Sequence, residues 1–129
     1  MTDTTTSVAE LHFDHEVWTS ELKSWREELK ILEKYLTKIQ HGKLSKEATL
    51  ELERFQNQFI RHKEVVHDLI NEASSSEKFL VHNNDIFTSE EIRQVKIEEH
   101  ARLDDQIETA RKIYTDLKTN FRHWLANRF

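Results

Sequence analysis

Nine positions between Leu11 and Ile39 set what this chain can become. Leu11, His15, Trp18, Leu22, Trp25, Leu29, Leu32, Leu36 and Ile39 follow one another by alternating fours and threes without a slip. That spacing keeps a single stripe of a helix turned toward a partner. A helix cannot bury such a stripe on itself, so the rest of the chain must supply the facing surfaces. Two further segments repeat the pattern: Leu52, Phe55, Phe59, His62, Val66, Leu69, Ala73, Ser76 and Leu80, and then His100, Leu103, Ile107, Ala110, Tyr114, Leu117, Phe121 and Trp124. The fold class that follows is all-α: an up-down-up bundle of three long helices with coiled-coil-like heptad seams.

Turn residues fix the boundaries. The chain has no proline and one glycine, Gly42, so it lacks the punctuation that sheets and tight hairpins need. Gly42, inside QHGKLS, suits a helix C-terminus, and Ser45 can cap the amides of the next helix. In NNDIFTSEEI, Asn83 and Asn84 can end a helix, Thr88 and Glu91 form a capping box, and Phe87 with Ile92 fit the accompanying hydrophobic staple. The expected helices run over about 11–40, 45–82 and 89–127. Ser74, Ser75 and Ser76 could break the second helix and leave Glu77 to His82 as a short separate one, but the apolar spacing continues through them and predicts a continuous helix. Residues 1–10, rich in Thr and aperiodic, are expected to be a disordered tail before a single domain at 11–129.

Composition narrows the function classes. With 129 residues, 36% apolar and 33% charged, the chain is sized for one well-solvated globular domain. Absence of cysteine removes disulfides, thiolate metal sites and cysteine nucleophiles together. The longest apolar run, Phe79 to Val81, is too short to span a bilayer, and the N-terminal MTDTTTSVAE has neither a basic region nor an apolar core, so a cytoplasmic protein without a signal peptide is expected. A net charge of -5 with interleaved signs argues against nucleic acid and membrane surfaces as partners.

Register brings the polar seam residues together. Short connections make neighbouring helices antiparallel and leave the first and third parallel. Seam positions then pair as Trp18 with Leu103, Leu22 with Ile107, Trp25 with Ala110, Leu29 with Tyr114, Leu32 with Leu117, Leu36 with Phe121 and Ile39 with Trp124. The largest side chain meets the smallest at Trp25 and Ala110, as dense layers require. On this count His15 lies at the level of His100, with the second helix reaching that level near Leu69 to Ala73. The next layer outward pairs Leu11 with Lys96, and the bundle is expected to open to solvent there. His67 falls at the level of Asp104, His12 lies one turn from His15, and His62 sits among Leu22, Trp25 and Ala110.

Imidazoles with a carboxylate suit a transition-metal ion such as zinc or iron, and bundle cores hold metals by side chains from facing helices. The candidate ligands are His15, His100, His67 and Asp104. Against this, the Glu-x-x-His pair that di-iron bundles use twice occurs once, at Glu64 and His67. His100 and Asp105 match one spacing of hemerythrin-like bundles without the remaining pairs. The other reading makes His15, His62 and His100 hydrogen-bonded core histidines that fix register, with a pH-responsive element as a third possibility. One glycine cannot build a phosphate-binding loop, no serine has the context of a nucleophile, and adjacent pairs such as Glu98 with Glu99 point to different helical faces.

Outside the seams lie Val17, Ile31, Ile60, Val65, Ile70, Val95 and Ile97, most of them expected to flank the core. Any left exposed together would form a contact surface for another helix. The C-terminal WLANRF, ending in Phe129, is a further possible contact. The sequence therefore points to a non-enzymatic helical protein acting as an interaction or scaffold element, with an unknown protein partner or self-association and no cofactor. The alternative is a metal-binding bundle with a site at His15 and His100.

Overall fold

A computed structural model of the chain describes residues 7–82 and 90–129. Three helices account for almost all of them: α1 (Val8–Gln40), α2 (Lys46–His82) and α3 (Glu90–Arg128), arranged up, down and up. The seam spacing is obeyed along its whole length. Every seam residue is buried or half-buried, and Leu22, Leu29, Phe59, Val66, Ala73 and Ile107 are fully enclosed. Burying side chains of this size contributes roughly 1.5–3 kcal/mol each. Among the described residues no helix is long and apolar enough to cross a membrane.

The helix ends follow local chemistry. α1 begins at Val8, three residues earlier than expected, because Ser7 and Glu10 form a reciprocal capping box: the Glu10 amide donates to Ser7 Oγ at 3.2 Å and the Ser7 amide to Glu10 Oε1 at 3.3 Å. Residues 7–10 are thus part of an ordered helix start, and residues 1–6 lie outside the described residues. At the other end, the amides of His41 and Gly42 donate to the carbonyls of Thr37 and Ile39. Gly42 does this without the left-handed backbone that only glycine adopts easily. Ser45 caps α2 as expected, its Oγ accepting from the Ala48 amide at 3.0 Å. α2 runs unbroken through Ser74, Ser75 and Ser76. The caps read at Asn83, Asn84 and Thr88, and the staple at Phe87, lie outside the described residues.

Parallel placement of α1 and α3 holds at the expected offset. Asp14 meets His100, Glu28 meets Tyr114, and the Tyr35 ring meets that of Phe121. The level of α2 differs by about one turn from the expected one. Gln56, not a residue near the start of α2, bonds Gln40 at the end of α1, and Glu77 arrives at His15, while His62 keeps its expected place beside Trp25. The Leu11 layer is also closed, not open: Leu11 is 3% exposed and lines one cleft with the buried Leu80 and another with the buried Ile97. Lys96 closes it from above, its Nζ 3.8 Å from the centre of the Phe79 ring.

Candidate functional site

The histidine layer is built from all three helices. α1 contributes His12, Asp14, His15 and Trp18, α2 contributes Glu77, and α3 contributes His100. Glu77 splits its carboxylate between two imidazoles: Oε1 is 2.8 Å from His15 Nδ1 and Oε2 is 2.7 Å from His12 Nδ1. An ionised carboxylate can only accept, so both Nδ1 atoms carry the proton. On the opposite flank His100 Nε2 donates to Asp14 Oδ2 at 2.8 Å. The His15 and His100 rings lie 5.5 Å apart between centres, and the Trp18 ring covers His100 at 4.6 Å. Burial pushes the His15 pKa down; the Glu77 hydrogen bond opposes this, and the neighbouring His100 and His12 add to it.

The structure therefore brings together two of the four candidate ligands, His15 and His100. Asp104 lines a cleft with His100 and Asp14 on the outer side of this layer. His67 is elsewhere: it is exposed on α2, its Nε2 accepting from Asn71 Nδ2 at 3.2 Å. It follows the buried seam residue Val66 and so points about 100° away from the seam, toward solvent. Among the described residues, no three His, Asp or Glu side chains are grouped as a metal ion would need. Sequence reasoning missed Glu77 and Asp14. A signal for Asp14 exists: Asp14, Glu21, Glu28 and Tyr35 recur every seven residues beside the α1 seam, and all four touch α3.

His62 is the second buried imidazole and is held differently. Its ring stacks on Tyr114 at 4.8 Å and 11° and lies 6.1 Å from Trp25, while its buried Nε2 has no partner among the described residues. Burial alone lowers its pKa. Tyr114 is anchored on the far side, its hydroxyl donating to Glu28 Oε1 at 2.5 Å. Burial and that bond drive the phenol pKa upward.

His62 also lines a groove that the seams did not announce. Two clefts of about 460 and 430 Å³ run end to end between α2 and α3 and share Val65, Ala110 and Ile113. Val65 is 39% and Ile113 54% exposed, while Ala110, being small, leaves the floor low between them. The off-seam residues were expected mostly to flank the core. Only Ile70 and Ile97 are buried; Val17, Ile31, Ile60, Val65 and Val95 are exposed. At the C-terminus, Trp124 is half-buried against Phe121 with its Nε1 donating to Glu51, and Phe129 is exposed. No family model, curated protein or solved structure matches this chain.

Proposed function

We propose that this chain is a non-enzymatic helical interaction module whose docking surface is the groove between α2 and α3. The groove itself carries the reading: buried Leu69, Ala110 and Leu117 line it with the buried His62, exposed Val65 and Ile113 rise beside Ala110, and charged side chains share the lining. An apolar centre within a polar rim is the anatomy of a protein contact surface, and a concavity bounded by two helices accepts a third. The histidine layer supports the same reading. Each of its imidazoles is engaged by a carboxylate of a neighbouring position or helix, the arrangement of side chains that hold register.

A photoreactive amino acid placed at Ile113, with Ile31 on the far face of α1 as control, tests the proposal in the cell. The expected result is a discrete adduct from position 113 that mass spectrometry maps to an apolar helical face, with none from position 31. Adducts from position 31 alone, or from neither position, would overturn it.

A further inference from the structure

We infer that the occupant of the α2/α3 groove is a second copy of this chain, related by a two-fold axis parallel to the bundle. This inference rests on the interaction reading above and adds the partner to it. The observation behind it is the order of charges along the two edges. At one end of the groove the α2 edge carries Arg61 and the α3 edge Asp116. At the other end α2 carries Asp68 and Glu72, and α3 carries Arg102 and Asp105. Each edge holds both signs, and Arg61 and Arg102 each face acids on the other edge. A groove made for a basic or an acidic helix would instead carry one sign along both edges.

Among the described residues, none of these charged side chains forms an ion pair with another across the groove. Among the described residues, Arg61 and Asp116 line one cleft without forming an ion pair, and neither does Arg102 with Asp68 or Glu72 in the other. Elsewhere the chain readily links its helices, as in the Glu21 to Arg111 pair with two contacts of 2.6 and 2.8 Å. A two-fold axis along the bundle keeps each height unchanged and lays α2 of one copy over α3 of the other. Arg61 then faces Asp116 of the second copy, each contact occurring twice, and at the other end, where Glu72 shares the level of Asp105, Arg102 reaches Glu72 from one turn away. Between these ends Ile113 and Val65 of each copy enter the space above Ala110 of the other. The contact is self-complementary and closed, so it yields a dimer and not a filament.

The alternative two-fold, perpendicular to the bundle, would lay α2 on α2 and pair Arg61 with Glu72. The two arrangements respond differently to charge reversal, so one experiment separates them. Sedimentation equilibrium of the full chain from micromolar to millimolar concentration is expected to show a monomer–dimer equilibrium. Ile113→Asp, an exposed position whose change leaves the fold intact by circular dichroism, is expected to weaken the dimer by about 100-fold or more, because two apolar contacts are lost at once. Arg61→Asp and Asp116→Arg are each expected to weaken it several-fold by opposing like charges. Mixed in equal amounts, those two variants regain parental affinity, since both cross-copy contacts are again of opposite sign.

A monomer at every concentration overturns the inference, as does a dimer indifferent to Ile113→Asp. A mixture no tighter than either variant alone overturns the pairing. The two levels of the reading fail separately. A monomeric chain whose position 113 still gives an adduct with another protein's helix loses the second copy but keeps the groove as a docking site. The absence of both removes the docking site as well.

Discussion

The two flanks of α3 obey the same heptad rule and end in opposite states. On the α1 flank, acids every seven residues meet partners at matching heights: Asp14 with His100, Glu21 with Arg111, and Glu28 with Tyr114 and Lys118. That flank is closed by polar links from one end to beyond its middle. On the α2 flank the corresponding central positions are Val65, Ile113 and Thr109, with charges that do not meet, and a groove remains. α2 and α3 join at one end through the aromatic cluster of Phe55, Phe59 and Phe121 and through Glu51 with Trp124 and Arg128, at the other through Lys96 over Phe79, and between them through His62 stacked on Tyr114 beside the groove. A seam decides which residues turn inward. The columns beside it decide whether two helices close on each other or leave room for something else.

The largest effect comes from removing what both flanks share. The Phe121 ring touches Tyr35 of α1 and both Phe55 and Phe59 of α2. Phe121→Ala is expected to cost about 3–5 kcal/mol of stability in denaturant unfolding, combining lost burial with the cavity left behind. A loss below about 1 kcal/mol would mean that the ring's surroundings collapse onto the gap and that the lower bundle is far softer than its packing implies.

A smaller pair of changes separates the flanks. Tyr114→Phe removes one oxygen and with it the bond to the Glu28 carboxylate; hydrogen bonds to charged acceptors contribute about 1.5–3 kcal/mol. Ile113→Ala, on the adjacent residue but facing the groove, is expected to change the unfolding free energy of dilute protein by no more than about 0.5 kcal/mol. Equal losses for the two would dissolve the distinction between a closed and an open flank.

Much of this was legible before any coordinates, and the rest was hidden for identifiable reasons. The seam spacing gave the three helices, their order and the meeting of His15 with His100, because burial repeats at the period of the helix. It did not give Glu77, since an acid one step off the seam looks like any solvated residue until the level of α2 is known. That level could not be counted from the hairpin: the segment after Gly42 carries α2 past the end of α1 before Gln56 comes level with Gln40. The groove was hidden for a related reason. Val65 and Ile113 have no sequence mark that tells a flanking core residue from an exposed one, and only the unfilled space above Ala110 distinguishes them.

The smallest effect sharpens a second contrast, between the two buried histidines that sit on these flanks. At His15 the pull of burial is opposed by Glu77, whereas at His62 on the groove side burial acts without opposition. Both imidazoles therefore titrate lower in the folded chain than in the unfolded one, whose value is near 6.5. Where the folded pKa is the lower, the unfolded state binds more protons, so stability is complete above about pH 6.5 and is lost as the pH falls below it. His62→Leu replaces an unpartnered buried nitrogen by apolar surface, which is expected to leave stability at pH 7.5 unchanged or raise it by about 1 kcal/mol. Its clearer signature is the slope: melting temperatures measured from pH 7.5 down to 5 should fall less steeply than in the parent. Glu77→Gln should do the reverse, because it withdraws the charge that keeps the His15 proton favourable while retaining an acceptor for Nδ1. A parental slope in His62→Leu would assign the acid sensitivity to the layer at His15, and the unopposed burial at His62 would then have no thermodynamic consequence.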